Sequence, residues 1–380
     1  MSTSTAPAAN VFELLGIKPV INARGNNTVL GGSTPSARVK RAMQDIERYY
    51  VDMQQLLERS GEVIAGLLGA EAAYVTPGAA AALALGAAAC MAGADPDKIG
   101  RLPDTTGMPG TILIQAGHHY HYERAVTVPG ARLVGVGDAS GTTAAQLEAA
   151  LGPNVAAVFV PAHLDGKPGT LPLSEVLAIA HGGGIPVLVD AAGRVYPLDK
   201  FRSYTRDGAD LVAFGAKYLG ALNASGILCG RADLVKAAAL HGFIGFETAA
   251  WEKSFGRPLK LDRQTIVAVV TALQEWLETD HDARLASYDR RLKAMATELE
   301  GAPGVTVSLV NGDGPAPRVL RLTFDSSRAR HDAAGVVKGL LAGTPAIAVN
   351  RDAESILINP VCMREEDDGL VASRLGQLLM

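Results

Sequence analysis

Short apolar runs alternate with helical patterns through the middle of the chain. Stretches with apolar residues at helical spacing, such as residues 79–91, 142–151 and 173–180, separate most of these runs. Strand–helix alternation of this kind favours an α/β sandwich around a mostly parallel sheet. Seven runs have the length and composition of buried strands: residues 72–75, 111–115, 131–136, 155–160, 186–189, 211–214 and 227–229.

The two ends of the chain follow a different pattern. Residues 11–17 predict a short helix, residues 19–22 a strand, and residues 23–35 a polar loop of the functional kind. Residues 36–68 predict two helices. After about residue 251, helical and strand-like stretches indicate a small α+β domain. We therefore predict an N-terminal arm with an active-site loop (residues 1–35), a large domain (36–250) and a small C-terminal domain (251–380).

Composition narrows the classes of function. A net charge of −4 gives no support for binding nucleic acid or an anionic membrane. The three cysteines stand apart from one another, without CxxC or histidine pairing, and predict neither disulfides nor a zinc site. The first ten residues lack a basic start followed by an apolar core, so we expect an unstructured tail and a cytoplasmic protein.

Two polar residues follow buried strands at the places where open α/β sheets bind ligands. Asp190 ends the run 186–189, and Lys217 comes just after the run 211–214, between glycines and a tyrosine. Small neighbours let a flat ring approach the backbone, and a lysine in apolar surroundings becomes a Schiff-base former. An aspartate in this position suits a pyridinium nitrogen. We interpret the pair as two contacts of a pyridoxal 5'-phosphate (PLP) ring, against the alternatives of a surface lysine and a helix cap.

A third element lies upstream, at the junction between the run 72–75 and the helix that follows. A helix that begins at Gly78 points its first backbone N–H groups at an anion, so Gly78, Ala79 and Ala80 are candidates to bind a phosphate. This signal alone is weak, because any helix start led by glycine looks similar. The order along the chain, with a phosphate loop before the aspartate and the lysine, makes it stronger.

Together these segments resemble the fold-type I PLP-dependent enzymes. The stretches GAEAAYVTPGAAAAL, PVLVDAAG and LVAFGAKYLG, with VINARGN and GRPLK, are similar to the group related to selenocysteine synthase. The resemblance covers most of the chain and implies an aspartate aminotransferase-like three-layer sandwich. It also implies a seven-stranded sheet, a small α+β C-terminal domain, PLP as cofactor and a homodimer or larger oligomer.

The resemblance also implies roles for individual residues. Lys217 matches the Schiff-base lysine, Asp190 the partner of the ring nitrogen, and residues 78–80 the phosphate loop. His118 or His119 falls where the family places a side chain over the ring, and His163 falls near the ring hydroxyl. The histidine-rich segment is not matched by clustered carboxylates or cysteines, so we expect no metal.

Other positions depart from the pattern or concern the substrate. The segment after the lysine usually reads Gly-Pro-Gln, whereas Ala221-Leu222-Asn223 stands here, which puts the phosphate contact from this loop in doubt; Ser225 is kept as a cofactor-binding candidate. Arginine side chains clamp carboxylates and phosphates in a bidentate manner. Arg24 is therefore a candidate for substrate binding. Arg257 and Lys260 lie in the stretch GRPLK, which resembles a recurrent motif of the group, and we assign substrate binding to them and to Asn26 as well.

Several reactions share the opening chemistry that these residues predict. We expect a PLP-dependent lyase that removes the α-proton of an amino acid or amino sugar acid and eliminates a β-substituent, of the ammonia-lyase or dehydratase type. Racemisation, aldol cleavage and transamination remain alternatives. A selenium transferase is a further one, disfavoured by the slight negative charge and the lack of room for a tRNA-binding domain. A nicotinamide-dependent dehydrogenase is disfavoured because the glycines of residues 135–141 are misplaced for that fingerprint.

Overall fold

The computed structural model describes residues 10–248, 253–312 and 318–380. The described residues form two compact units: one runs from residue 34 to residue 278, and the other combines the residues before 34 with those after 278. The tail predicted for residues 1–10 lies outside the described residues except for Asn10, which caps the first helix.

The boundary between these units differs from the division predicted from the sequence. The predicted boundary at residues 250 and 251 lies outside the described residues. The helix Arg263–Glu278, which that division gives to the small domain, packs against helices Ala37–Glu47 and Met53–Leu68 inside the larger unit. Ser36 Oγ donates a hydrogen bond to Glu275 Oε2 over 2.5 Å, which ties the helix to this unit.

The described residues of the larger unit contain seven strands and ten α-helices. The strands are β2 (Ala72–Thr76), β3 (Thr111–Gln115), β4 (Arg132–Val136), β5 (Val155–Pro161), β6 (Val187–Asp190), β7 (Leu211–Gly215) and β8 (Gly226–Gly230). The helices are α2 (Ala37–Glu47), α3 (Met53–Leu68), α4 (Ala79–Ala92), α5 (Pro96–Arg101), α6 (Ala144–Ala150), α7 (Leu173–Gly182), α8 (Leu198–Arg206), α9 (Ala232–Leu240), α10 (Gly245–Thr248) and α11 (Arg263–Glu278).

The seven strands form one sheet in the order β2-β8-β7-β6-β5-β3-β4. Neighbours from β7 to β4 pair in parallel, whereas β8 is antiparallel to both β7 and β2. Strands β5, β6, β7 and β8 are buried along their whole length, as expected for strands covered on both faces. This confirms the predicted α/β architecture with a mostly parallel seven-stranded sheet.

Helix α4 packs on the sheet through small side chains. Its residues are mostly alanine and nearly all buried, so the helix has no polar face. A β-carbon at Gly86 would lie 3.1 Å from Leu188 Cδ1 and 3.4 Å from Leu211 Cδ1. The small residues therefore let α4 approach the centre of the sheet, which fixes the position of its N-terminus.

The smaller unit is α+β, as predicted. It contains helices α1 (Val11–Leu15), α12 (His281–Leu299), α13 (Ala333–Ala342) and α14 (Asp368–Leu379). Its strands are β1 (Val20–Ala23), β9 (Val305–Asn311), β10 (Arg318–Phe324), β11 (Ala346–Arg351) and β12 (Ser355–Ile358), in the order β1-β11-β12-β10-β9. Strand β1 pairs in parallel with β11, so the N-terminal segment completes this sheet. None of the helices described in either unit is both long and apolar enough to cross a bilayer.

His241, one of the buried histidines of the larger unit, makes the stability of this unit depend on pH. His241 is fully buried at the end of α9, and its Nε2 lies 3.1 Å from the Gly93 carbonyl oxygen. Burial lowers the pKa of His241 from 6.5 to about 4. Above pH 6.5 the stabilisation is fully present. As the pH falls towards 4, the unfolded chain takes up a proton that the folded chain does not, and stability is lost.

We expect acidification from pH 6.5 to 4 to lower the free energy of unfolding by about 3 kcal/mol because of His241. In His241→Gln, which removes the titrating group, urea unfolding at a series of pH values should give a flatter profile. His331→Gln, at an exposed histidine, serves as the control and should keep the wild-type slope. Equal slopes in wild type and His241→Gln would contradict the assignment.

Candidate functional site

The carboxyl edge of the large sheet brings together the residues that the sequence singled out as candidates to contact the cofactor. Every strand of this sheet except β8 ends at that edge, and β8 begins there. The residues that follow the strand ends are therefore brought together from distant parts of the chain. They are Gly78 after β2, His118 to Tyr120 after β3, His163 after β5, Asp190 at the end of β6, Lys217 after β7 and Ser225 before β8.

Asp190 presents a buried carboxylate at this edge. The residue is 6% exposed, and its Oδ1 accepts a hydrogen bond of 3.0 Å from the Ala192 backbone N–H. Its Oδ2 accepts a hydrogen bond from the phenol of Tyr120. Burial raises the pKa of Asp190, and the hydrogen bonds from Tyr120 and Ala192 act in the opposite direction. A carboxylate held in this way is suited to bind one more donor.

Tyr120 is the residue of this site that sequence reasoning missed. The histidines of the segment drew attention because they titrate and bind metals, whereas the signal for Tyr120 is a large aromatic residue in a polar run after a strand. Its ring stacks on Phe159, with centroids 6.2 Å apart, and contacts the edge of His163 at 4.9 Å. Of the aromatic side chains at positions 118 to 120, that of Tyr120 is hydrogen-bonded to Asp190.

The two histidines before Tyr120 have different surroundings. His118 is fully buried beside Gln115, with Nδ1 3.5 Å from the Gln115 amide nitrogen, and burial lowers its pKa. His119 is about half exposed, and its Nδ1 lies 2.8 Å from Glu123 Oε2. The role of either histidine over a cofactor ring remains a prediction.

His163 lies on the exposed side of the same edge. It follows β5, and its ring contacts that of Tyr120. Its backbone carbonyl oxygen accepts a hydrogen bond of 3.3 Å from Arg194 Nη2, which links the loops after β5 and β6. Its imidazole is close enough to Asp190 to lower the pKa of that carboxyl group. The ring of His163 is thus positioned beside the Asp190–Tyr120 pair.

Lys217 lies in the turn Ala216–Leu219, directly after β7. Its Nζ is 5.3 Å from the centroid of the Tyr218 ring. A β-carbon at Gly215 would lie 3.1 Å from the Tyr218 ring, and one at Gly193 would lie 3.4 Å from it. The flat ring that these glycines accommodate in the structure is therefore that of Tyr218, next to the lysine.

Gly78 begins helix α4 with a φ of 113°, a conformation that favours glycine. The first N–H groups of a helix have no intrahelical acceptor, so those at Ala79 and Ala80 suit an anion. A β-carbon at Gly226 would lie 2.5 Å from the Gly78 carbonyl carbon and 2.8 Å from the Ala79 nitrogen. The absence of a side chain at Gly226 therefore allows this helix start to approach β8.

Ser225 is the buried residue before Gly226. Its hydroxyl donates a hydrogen bond to the Leu222 carbonyl oxygen, and its own carbonyl oxygen accepts one of 3.0 Å from the Ala216 N–H. Ser225 thus stabilises the turn that holds the lysine. Its contact with a cofactor stays a prediction.

The predicted substrate residues are distributed over both units. Arg24 and Asn26 belong to the smaller unit, where Arg24 Nε donates to Asn350 Oδ1 over 3.1 Å and Asn26 Nδ2 donates to the Gly32 carbonyl oxygen over 3.1 Å. Arg257 lies in the larger unit, 3.6 Å from the Glu247 carboxylate, and Lys260 is exposed. Their contacts with a substrate remain predictions.

The chain is similar to several known proteins along most of its length. The chain matches no family model. It is 34% identical to a 5'-C-glycyluridine monooxygenase-decarboxylase of Streptomyces sp., over 97% of this chain and 92% of the relative. It is 27% identical to the D-glucosaminate-6-phosphate ammonia lyase of Salmonella typhimurium, over 97% of this chain and 98% of that enzyme.

A selenium transferase and a solved structure complete the comparison. The L-seryl-tRNA(Sec) selenium transferase of Moorella thermoacetica is 26% identical over 75% of this chain, which spans 62% of the transferase. The solved structure of a D-glucosaminate-6-phosphate ammonia-lyase superposes with a TM-score of 0.85 and 26% identity, covering 98% of this chain and 99% of that structure.

The fold and its superposition on the solved ammonia-lyase identify an enzyme of the fold-type I PLP-dependent class. Within that class, the chain belongs to the family related to selenocysteine synthase, together with the ammonia lyase and the monooxygenase-decarboxylase. The resemblance predicted from the sequence is confirmed.

The close approach at Gly226 leads to a prediction about stability. In Gly226→Ala, the new methyl group would collide with backbone atoms that have no flexible side chain to move aside. We expect a loss of about 1–3 kcal/mol in the free energy of unfolding, measured by urea titration. Gly152→Ala is the matched control, because a β-carbon at that position would meet no neighbouring atom within 4 Å. A loss as small for Gly226→Ala as for Gly152→Ala would contradict the proposed approach.

Proposed function

We propose that this protein binds PLP at the carboxyl edge of its large sheet and is a lyase for an amino acid that carries a sugar-like group. The observation that carries the proposal is the buried Asp190 carboxylate, at the same sheet edge as Lys217 and the start of α4. This set combines an acceptor for a ring nitrogen, an amine and a helix N-terminus for a phosphate.

The residues fit PLP in their chemistry and in the room they leave. Asp190 has a lone pair for a protonated ring nitrogen, because each carboxylate oxygen accepts two hydrogen bonds. Gly78, Ala79 and Ala80 offer backbone N–H groups, and the space beside the Gly78 β-carbon position is open to 4 Å. Lys217 supplies the amine that joins the cofactor covalently. When bound, PLP supplies an electron sink for the pair left by a broken bond at the substrate α-carbon.

The chain's own residues then govern the movement of protons. Asp190 keeps a proton on the ring nitrogen, because an ionised carboxylate stabilises the cation it faces. With the cofactor bound, the free amine of Lys217 would accept the proton from the substrate α-carbon. His163 is exposed beside Tyr120, where an imidazole has access to solvent and can return a proton to a leaving group.

Two relatives support different fates for the substrate. The ammonia lyase supports elimination. In that reaction the α-carbon loses a proton and the β-carbon loses a hydroxide group, and hydrolysis of the product gives a 2-keto acid and ammonia. The monooxygenase-decarboxylase, at 34% identity, supports a second candidate, in which the bond to the carboxylate breaks. Both names describe an amino acid joined to a sugar or derived from one, which supports the proposed substrate class.

The cofactor assignment is tested by covalent trapping. Purified protein mixed with PLP and reduced with borohydride should carry the cofactor on the peptide that contains Lys217, detected by mass spectrometry. Lys217→Ala should lose this adduct, since no other amine is proposed to reach the cofactor. Lys236→Ala, which removes an exposed lysine of the same unit, should retain it. A trapped adduct of equal amount in Lys217→Ala would refute the assignment.

The reaction is tested by its products. D-glucosaminate 6-phosphate and a glycyl nucleoside are incubated with the PLP-loaded enzyme, and 2-keto acid, ammonia, carbon dioxide and oxygen uptake are measured. Elimination predicts 2-keto acid and ammonia in equal amounts, without oxygen uptake, and abolished in Lys217→Ala. Carbon dioxide release with oxygen uptake would instead favour the second candidate, and loss of optical activity alone would contradict both.

A further inference from the structure

The Asp190 carboxylate at the sheet edge accepts a hydrogen bond from the protein on each of its two oxygens. The Ala192 N–H is part of the chain that follows β6, so it accompanies Asp190 wherever the strand places it. The Tyr120 phenol comes from the loop after β3, far along the sequence. This second hydrogen bond is therefore a tertiary contact, which the fold has to hold in place.

The phenol is held in place by its neighbours on two sides. The Tyr120 ring stacks on Phe159 of β5 at an interplanar angle of 29°, and the edge of His163 contacts it at 61°. Its backbone N–H donates to Glu123 Oε2 over 3.0 Å, and the same oxygen lies 2.8 Å from His119 Nδ1. With ring and backbone both fixed, the hydroxyl reaches Asp190 in a defined orientation.

The surroundings determine which partner carries the proton. Among the described residues, the titrating side chains that interact with Asp190 include those of Tyr120, His163 and Tyr218. Burial and the neighbouring carboxylate raise the pKa of Tyr120 far above its usual range, so the phenol remains a donor. Its hydrogen bond in turn lowers the pKa of Asp190, against the effect of burial. Of the two partners the phenol is therefore the one that keeps its proton, and its hydrogen bond offsets part of the rise that burial causes in the pKa of Asp190.

We propose that Tyr120 is a positioning residue for Asp190, and that its phenol holds the carboxylate ionised and oriented for the ring nitrogen of PLP. Oδ2 has a second lone pair, so the phenol and a protonated ring nitrogen can bind the same carboxylate together. This inference rests on the proposed cofactor. It adds a residue from the loop after β3 to those that determine how tightly the ring is bound.

The test compares PLP binding by Tyr120→Phe and wild type at a series of pH values. Tyr120→Phe keeps the stacked ring and removes only the donor. We expect binding about tenfold weaker at pH 7, the effect of losing one hydrogen bond to a charged group. We also expect the loss of affinity on acidification to begin at a higher pH, because without the phenol Asp190 takes up its proton more readily.

The controls separate this role from a structural one. Tyr122→Phe changes a neighbouring tyrosine that is 72% exposed and should keep both the affinity and the pH profile of wild type. Asp190→Asn should bind weakly at every pH, and adding Tyr120→Phe to it should change the profile no further. If Tyr120→Phe acted only by disturbing the packing, it would lower the affinity for PLP without changing the pH at which half of that affinity is lost on acidification.

Two outcomes would overturn the proposal. If Tyr120→Phe binds PLP with the wild-type affinity and midpoint, or more tightly, the phenol does not support the carboxylate, while trapping of PLP on Lys217 would still uphold the proposed function. If wild type itself binds no PLP, both proposals fall together. The role of Tyr120 is supported if Tyr120→Phe loses PLP affinity at a higher pH than wild type, and if this difference disappears when Asp190→Asn is present.

Discussion

An ionisable carboxylate buried at the end of a parallel strand is the constraint around which the larger unit is organised. Burial penalises the charged form of Asp190, so the surrounding chain has to supply donors. The backbone after β6 supplies one and the loop after β3 supplies the other. These contacts draw β3, β5 and β6 into one arrangement at the sheet edge, which their parallel pairing makes possible.

The fold of the larger unit was predictable because its signals are local and repeated. Each buried strand is a short apolar run bounded by turn residues, and each crossover helix has its own periodicity. Asp190 and Lys217 were recognisable as candidates because they interrupt such runs at their carboxyl ends. The phosphate loop gave a weaker signal, which became informative only through its order relative to the other two residues.

Contacts between distant segments could not be predicted in the same way. The bond from Tyr120 to Asp190 depends on the orientation of a loop, which no periodicity reports. The pairing of β1 with β11 joins opposite ends of the chain, and the packing of α11 on α2 moves a helix into the larger unit. In the sequence, α11 directly precedes the small domain, so the change in composition assigned this helix to the small domain, whereas in the structure it belongs to the larger unit.

The reversal of direction at β8 restricts the length of the connection between β7 and β8. Because β8 begins at the site, the turn that carries Lys217 and the residue beside the helix start, Gly226, belong to a single β-hairpin with Gly215 paired to Gly226. The distance between the Lys217 amine and the N–H groups at the start of α4, which we propose bind the phosphate, is therefore set by the length of one short connection. A residue gained or lost between Ala216 and Ser225 would change this spacing, to which the proposed cofactor, a molecule of fixed length, would have to fit.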